Sequence, residues 1–409
     1  MNSNALWEVP DRESGRPRTT HHEHVAPSLD HHPCDANLPI DWIIRWEQPA
    51  GREEIGVSIN GMFVFDSVVH GFDSTTGNVA SRYGRSLLLA NQSFQWAMVP
   101  DPYRLEPHRY FQAITADVLE SLLFLESDVD MACYHMVPAF GFLHDFSPIA
   151  VGLELKRRYP HRVVNYGGVS PLQGKKALDD LDRQVEEWGI IGLKLYPVDV
   201  VDGAVRVQRL DDRDLLYPVL ERCRKHGVKV VAVHKAMPLG AVAMDPFKNG
   251  DIDYAAIDFP DLNFEVVHSG FAFLDEAAFQ IARFPNVYVG LESTAALAVR
   301  HPRKLARILG EFLVMGGGKK LFFSSGASSP HPRPVLEAFA QLEMPTDMIE
   351  GDGYPPLTDA IKADILGLNY AALHGIDVAK AKAAIAGDAL SRARQGGVAP
   401  PWSRLKTLS

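Results

Sequence analysis

The chain has 409 residues, of which 46% are hydrophobic and 22% charged, and its formal net charge is -10. This composition is typical of a folded protein with a large core. The negative charge argues against nucleic acid or an anionic membrane as the main partner. Three widely spaced cysteines form no CxxC pair, which argues against a disulfide framework and a thiolate metal site. No apolar run of membrane-spanning length and no signal pattern stand out, so we expect a cytoplasmic protein.

The first 45 residues are rich in His, Pro, Asp and Arg and lack an apolar period. Their histidines could form a metal-binding tract, but a solvated surface arm is the interpretation we favour. We therefore predict an extended arm over residues 1–45, a folded domain over 46–395 and a C-terminal tail over 396–409.

Eight short runs rich in β-branched residues follow the arm. They cover residues 62–69, 129–137, 162–169, 190–198, 228–233, 263–268, 286–291 and 320–324. Helix-like segments separate the later runs, at residues 177–187, 215–226, 274–284, 302–314 and 333–342. Parallel strands need a crossover helix, so this alternation predicts a (β/α)8 TIM barrel of the α/β class. The alternative is an open doubly wound sheet, but no GxGxxG follows the first run to support its dinucleotide-binding form.

Two segments exceed a minimal barrel. Residues 72–125 are too long for a simple crossover and carry Arg82, Arg85 and Arg104. We predict a helical insertion that caps the barrel mouth, in which these arginines contact the substrate. Residues 358–394 are predicted to form closing helices.

Three histidines end runs of the same series, namely His70, His234 and His268. The C-terminal ends of barrel strands carry the active sites of such folds. A single histidine at a strand end is usually structural, but the repetition indicates a metal site. Imidazole suits Zn, Fe, Ni and Cu, and carboxylate joins it for Fe or Mn.

Four other side chains are candidates at the same strand ends: Asp66, Lys194, Tyr196 and Glu292. Alternation places Asp66 on the face of His70, and Lys194 on the face of Tyr196. A bound ion can lower the pKa of a phenol enough to make Tyr196 a ligand, although it could equally be a core aromatic residue. Lys194 could be carboxylated and bridge two ions, or could support the site as a plain charge. Asp66 could instead be a structural carboxylate.

Several stretches together resemble the amidohydrolase superfamily, in its branch of amidohydrolase-related decarboxylases and hydrolases. They are FDSVVH at 65–70, GLKLYP at 192–197, VVAVHK at 230–235, VVHSG at 266–270, FPNVYVGLES at 284–293, GASSPHP at 326–332 and ILGLNYAALHG at 365–375. The resemblance implies an Asp-x-His-x-His pattern on the first strand and a Lys or equivalent on the fourth. It also implies one His each on the fifth and sixth strands and an Asp on the eighth.

The sequence departs from this family pattern at two positions. Val68 stands in place of the first histidine of the pair, and Ser328 in place of the eighth-strand aspartate. Valine cannot bind a metal, and a serine hydroxyl is a poor ligand and no general base. A conventional site is therefore not expected, which leaves a rebuilt site or a catalytically silent barrel with a binding role. For a rebuilt site, Ser328, Glu292 and Lys194 are the candidate catalytic residues.

The candidate donors are numerous enough to predict two divalent ions, with a mononuclear centre as the alternative. The two predicted ligand sets are Tyr196, His234 and His268 for one ion, and Asp66, His70 and Glu292 for the other. Iron is the favoured metal, with zinc or manganese as alternatives. His135 and His144 follow the second run and are candidate substrate contacts, or else surface residues.

A divalent ion acidifies water and polarises an acyl oxygen, which predicts hydrolysis of a carboxylic acid derivative. Without an eighth-strand proton acceptor, a thiolate with a pKa of about 8.5 is a better leaving group than an amine. The sequence also resembles the amidohydrolase-fold thioesterases of platensimycin-type diterpenoid biosynthesis, and this resemblance implies a diterpenoid acyl-CoA substrate and a non-haem di-iron centre. Decarboxylation of an aromatic acid is the alternative reaction. We expect a small-molecule partner such as an acyl-CoA, and a homodimer is a candidate assembly.

Overall fold

The computed structural model describes residue 59, residues 61–138 and residues 140–406. The predicted N-terminal arm, with its histidine tract, lies outside the described residues. Within the described part of the chain, no helix has both the length and the apolar character needed to cross a lipid bilayer.

The strands of the described residues are β1 (Phe65–Val69), β2 (Met131–His135), β3 (Val163–Gly168), β4 (Gly192–Leu195), β5 (Val198–Val201), β6 (Ala204–Val207), β7 (Val230–His234), β8 (Asn263–Val267), β9 (Val287–Gly290) and β10 (Leu321–Phe322). All except β5 and β6 form one parallel sheet in the order β1-β2-β3-β4-β7-β8-β9-β10. The backbone N–H of Ser67 donates to the carbonyl of Phe323 at 3.1 Å across the two ends of this sheet. The sheet is therefore a nearly closed barrel, and the predicted (β/α)8 architecture is confirmed.

The α-helices are α1 (Arg82–Met98), α2 (Pro107–Tyr110), α3 (Ala116–Glu120), α4 (Ile149–Arg158), α5 (Lys175–Glu186), α6 (Tyr217–Lys225), α7 (Asp251–Asp258), α8 (Leu274–Arg283), α9 (Leu297–Arg300), α10 (Pro302–Val314), α11 (Pro332–Ala340), α12 (Thr346–Asp352), α13 (Asp359–Ala363), α14 (Asn369–Leu373), α15 (Val378–Ile385) and α16 (Ala389–Arg394). Helix α10 shows why these segments pack on the barrel. Leu305, Ile308, Leu309 and Phe312 recur at helical spacing and are all buried, so they form one apolar face.

Strands β5 and β6 form an antiparallel hairpin that was not predicted from the sequence. Asp202 and Gly203 connect them, with φ angles of 52° and 72°. Two consecutive residues of positive φ are typical of a type I′ turn, which Asp-Gly favours. The dipeptide between two valine-rich segments is the signal that could have predicted this hairpin.

The insertion between β1 and β2 is helical, as predicted, and contains α1 to α3. The Ser81 hydroxyl caps α1 by accepting from the N–H of Gly84 at 3.2 Å. The indole N–H of Trp96 donates to the carbonyl of Leu105 at 2.7 Å and ties α1 to the segment that follows it.

The predicted closing helices are also present, as α13 to α16. Tyr370 on α14 packs edge-on against Phe65 and Phe322, with ring centroids 4.9 and 5.1 Å apart. These three rings belong to one buried cluster with side chains of β2, β3, β7 and β8. The segment predicted as a tail is described as far as Lys406, and in it Trp402 is buried and donates to the carbonyl of Tyr103 at 2.9 Å.

Candidate metal centre

A cavity of about 250 Å³ lies at the C-terminal ends of the barrel strands. The strand ends contribute the side chains of His70, Tyr196, His234, His268 and Glu292. The remaining lining is mostly apolar, and consists of Phe72, Leu87, Ala90, Asn91, Phe94, Val137, Phe146, Met237, Pro238, Leu239, Ser293 and Ser329. Helix α1 of the insertion therefore forms part of the cavity wall.

Four of the predicted metal ligands contact one another in this cavity. His70 Nε2 lies 3.2 Å from Glu292 Oε1, and His268 Nε2 lies 3.4 Å from Glu292 Oε2. His268 Nε2 also lies 3.1 Å from His234 Nδ1. All four side chains are buried. We call His70, His234, His268 and Glu292 the His–Glu cluster.

The second ring nitrogen of each histidine in the cluster faces a backbone carbonyl. The contacts are His70 Nδ1 to His135 O at 2.9 Å, His234 Nε2 to Met237 O at 2.7 Å and His268 Nδ1 to Glu292 O at 3.1 Å. A carbonyl can only accept, so the hydrogen of each neutral imidazole is on that nitrogen. The nitrogens that face the cluster centre therefore carry lone pairs and no hydrogen.

When the three imidazoles are neutral, three lone pairs and a carboxylate face each other with no hydrogen between them, and such a set of acceptors attracts a cation. Between His234 and His268, a proton does not suffice near neutral pH. Burial lowers the pKa of His268 to about 4 and lowers the pKa of His234 well below its usual value. Imidazole and carboxylate donors suit a divalent transition metal, and metal bonds of about 2.1 Å place neighbouring ligands about 3.0–3.4 Å apart. The residues therefore fit a metal ion.

The cluster is not a fully formed site. Among the described residues, no group of three or more His, Cys, Asp and Glu side chains is already arranged to hold an ion. The donors contact one another at ligand-to-ligand distances, but small side-chain movements are needed for all of them to surround one point.

Lys194 lies beside the cluster and is completely buried. Its Nζ is 3.7 Å from Glu292 Oε2. Burial lowers the pKa of Lys194, and the nearby carboxylates of Glu292 and Glu265 oppose this effect. Burial by itself would raise the pKa of Glu292, but His268, Lys194 and His70 outweigh it and hold that pKa well below its usual range. Glu292 is therefore an anionic carboxylate.

Glu265, which was not predicted as a site residue, lies on β8 and is fully buried. Burial raises its pKa to about 8, although the charge of Lys194 lowers it. A charged residue in the middle of an otherwise apolar strand was the available signal.

Tyr196 lines the cavity, as expected for a residue at the end of β4. Its ring centroid is 5.2 Å from that of His234, and Lys194 Nζ is 5.7 Å from the tyrosine ring centroid. Burial, together with the charge of Glu292, raises the pKa of Tyr196 well above its usual value. The phenol is therefore a neutral hydroxyl.

The structure does not bring Asp66 or Ser328 into the cavity lining. Asp66 instead accepts hydrogen bonds from the backbone N–H of Ser325, at 3.0 Å, and from its hydroxyl. The register of β1 against β2 shifts between Asp66 and Val69, so the regular alternation that predicted a shared face with His70 does not hold. Ser329, rather than Ser328, borders the cavity.

The predicted substrate contacts also lie away from the cavity lining. Arg82 is exposed and donates to the Tyr83 hydroxyl at 2.8 Å, and Arg104 pairs with Asp101 at 2.8 Å. Arg85 is half-buried on α1 and does not line the cavity. None of the three arginines lines the cavity, to which α1 presents Leu87 and Phe94. Their role as substrate ligands stays a prediction.

His135 is fully buried beneath the site rather than in the cavity lining. Its ring stacks on Tyr166 with centroids 4.4 Å apart and meets His70 edge-on at 6.2 Å. Its backbone carbonyl orients His70. His144 is exposed.

The family profile described as Amidohydrolase matches residues 125–376. This match spans more than half of the chain, and the chain therefore belongs to the amidohydrolase family. Membership supports an enzyme, either a hydrolase or a decarboxylase. No curated protein sequence matches the chain.

Several solved structures are similar to the chain. An uncharacterized TIM-barrel protein from Bordetella bronchiseptica has a TM-score of 0.55 at 17% identity, covering 78% of this chain and 99% of its own. The 5-carboxyvanillate decarboxylase of Novosphingobium aromaticivorans, solved with bound manganese, gives a TM-score of 0.46 at 13% identity, covering 77% of this chain and 98% of its own. The 2,6-dihydroxybenzoate decarboxylase from Rhizobium gives 0.45 at 13% identity, covering 77% and 99%. At these identities, the first similarity supports the fold alone.

Proposed function

We propose that this protein is a metal-dependent hydrolase that cleaves an apolar carboxylic acid derivative, with a thioester favoured over an amide. The observation that supports this proposal is the His–Glu cluster, whose inward-facing atoms are all hydrogen-bond acceptors at the base of an apolar cavity. Such a set of atoms binds a cation, and the family uses this end of the barrel for chemistry.

The proposed ligands are His70 Nε2, His234 Nδ1, His268 Nε2 and the Glu292 carboxylate. A divalent ion held there would supply an acidified water and polarise an acyl oxygen. The hydrogen bond between Asp66 and Ser325 favours one ion over the two predicted from the sequence. Iron remains the favoured metal, with zinc or manganese as alternatives, because imidazole and carboxylate suit all three.

The cavity supports an apolar acyl group as the substrate. None of the described residues that line it is a lysine or an arginine. Its volume of about 250 Å³ is below the roughly 300–1,000 Å³ of pockets for drug-sized ligands. The cavity therefore suits a small apolar acyl group, whereas a diterpenoid acyl group would extend beyond it.

The side chains around the cavity favour a leaving group that departs without receiving a proton. The Glu292 carboxylate contacts His70, His268 and Lys194, and the neutral phenol of Tyr196 can donate a hydrogen bond but is not a strong acid. A thiolate has a conjugate acid pKa of about 8.5 and leaves as an anion, whereas an amine must be protonated to leave.

Elemental analysis of the purified protein, combined with a thiol-release assay, tests this proposal. The panel is a set of CoA esters with small apolar, aromatic, diterpenoid and dicarboxylic acyl groups. We expect about one metal per chain and the fastest thiol release with apolar acyl groups. Release of CO2 from hydroxybenzoic acids without thiol release would favour the decarboxylase alternative, and a metal-free, inactive protein would favour a silent barrel.

A further inference from the structure

We call residues 236–250, which connect β7 to α7, the β7 strap. This segment contacts the His–Glu cluster and also forms part of the cavity wall. The carbonyl of Met237 accepts the hydrogen bond from His234 Nε2 at 2.7 Å. Met237, Pro238 and Leu239 line the cavity. One short segment therefore orients a proposed ligand and forms a part of the wall.

A buried lysine anchors the β7 strap. Lys235 precedes it directly and is 1% exposed. Its Nζ donates to the Pro246 carbonyl at 3.0 Å and to Asp251 Oδ2 at 2.8 Å, and lies 2.7 Å from Asp251 Oδ1. Asp251 also accepts from the N–H of Leu210 at 3.0 Å. Lys235 thus joins the start of the strap to its end and to α7.

The ion pair of Lys235 and Asp251, which flank the β7 strap, is buried, whereas a second pair within the strap is exposed. Lys248 and Asp245 lie 2.9 Å apart, with side chains 53% and 73% exposed. An exposed pair contributes little to stability. A buried pair costs desolvation energy that its attraction only partly offsets, and its best-supported role is to specify one arrangement of the groups around it.

The β7 strap also contacts the insertion. The N–H of Ala241 donates to the Ser86 hydroxyl at 2.6 Å. Gly240 has a φ of +73°, and a Cβ there would lie 2.6 Å from the backbone nitrogen of Leu87. Leu87 itself lines the cavity, so the strap connects His234 with helix α1.

We propose that Lys235 is a positioning residue for the metal centre. By holding the β7 strap, it keeps the Met237 carbonyl against His234 Nε2 and so directs the lone pair of His234 Nδ1 into the cluster. This inference rests on the proposed metal-dependent function. Groups that orient a ligand in this way typically contribute 10–100-fold to metal affinity.

The test compares Zn²⁺ affinity, measured by competition with a chromogenic chelator, across full-length variants. We expect Lys235→Met to weaken Zn²⁺ binding about 10–100-fold. The matched control, Lys248→Met, removes a lysine from the same strap and should bind like the wild type. The double variant Lys235→Met/Asp251→Leu leaves no unpaired buried charge, so it provides a foldable protein if Lys235→Met alone does not fold.

The possible outcomes separate this inference from the proposed function. If the wild type binds no Zn²⁺, Mn²⁺ or Fe²⁺, the proposed function fails. If the wild type binds the ion and either Lys235 variant binds it equally well, the positioning role is overturned while the metal centre stands. A lower unfolding temperature of the metal-free variant with unchanged affinity would likewise make Lys235 purely structural and overturn the proposal.

Discussion

His268 Nε2 lies 3.1 Å from His234 Nδ1, and no hydrogen lies between these two nitrogens when both rings are neutral. The opposite nitrogen of each ring donates to a backbone carbonyl, which fixes both tautomers. Two lone pairs at this distance repel unless a cation lies near both. This relationship makes the proposed metal site testable without knowing the substrate.

His268→Ala removes a nitrogen that contacts both His234 and Glu292. We expect metal affinity to fall at least tenfold and turnover to fall with it, because one of about four ligands is lost. Elemental analysis after dialysis measures the change. His161→Ala, at an exposed histidine, is the control and should keep full metal. Wild-type metal content in both His268→Ala and His234→Ala would exclude these residues as ligands.

Tyr196→Phe and Lys194→Met separate two roles at the end of β4. The phenol of Tyr196 is neutral because its pKa is raised, so we expect Tyr196→Phe to retain metal and to lose turnover roughly tenfold through one lost hydrogen bond. Lys194→Met removes a buried charge 3.7 Å from Glu292 and should alter both the metal content and the turnover. If Tyr196→Phe loses its metal, or a visible phenolate-to-iron band disappears with it, Tyr196 is a ligand.

Phe94→Ala tests the cavity wall. Phe94 lines the cavity on α1, whereas Leu89 on the same helix is 45% exposed and does not. We expect Phe94→Ala to lower kcat/KM for apolar substrates about tenfold or more, since burying an aromatic ring contributes about 1.5–3 kcal/mol. Leu89→Ala and Arg85→Glu should leave KM unchanged. A KM that rises in Arg85→Glu and stays constant in Phe94→Ala would instead indicate that the arginines bind the substrate.

The barrel and the positions of the three histidines were predictable, because β-branched runs alternating with helices mark both the strands and their ends. The position of Asp66 was not, since the register shift between β1 and β2 breaks an alternation that the sequence shows as regular. The face of α1 that lines the cavity was not predicted either, although its signal was present in the sequence. The residues of α1 that line the cavity recur at the i, i+3, i+4 and i+7 spacing of one helix face. They are Leu87, Ala90, Asn91 and Phe94.

The Lys194 environment shows another limit of the sequence. Lys194 on β4 lies near Glu265 on β8 and Glu292 just after β9, which are 71 and 98 residues further along the chain. The sequence indicates which residue lies at the end of each strand. Which carboxylates surround the lysine depends on the directions of the side chains, and these are defined only in the packed barrel.

Glu126 forms a buried anchor between the insertion, the loop after β10 and the C-terminal segment. It accepts hydrogen bonds from Ser121 Oγ at 2.7 Å, His331 Nε2 at 2.9 Å and Trp402 N at 2.7 Å. Burial by itself would raise its pKa, but the bonds from His331, Ser403 and Ser121 outweigh it and lower that pKa. Burial lowers the pKa of His331 despite the nearby Glu126 carboxylate.

Both shifts make the protein less stable in acid. The unfolded chain binds more protons than the folded one between the unfolded and folded pKa values of each group, so stability falls as pH falls below about 6.5 for His331 and below about 4.3 for Glu126. We expect Glu126→Gln to lower the free energy of unfolding by about 1–3 kcal/mol at pH 7, since an amide replaces a buried acceptor. Chemical denaturation from pH 3 to pH 8 should show this gap narrowing below about pH 4.3, where the wild-type carboxylate begins to lose its advantage. Glu343→Gln, at an exposed site, should match the wild type throughout, and a gap that is constant with pH would show that Glu126 acts through packing rather than through its charge.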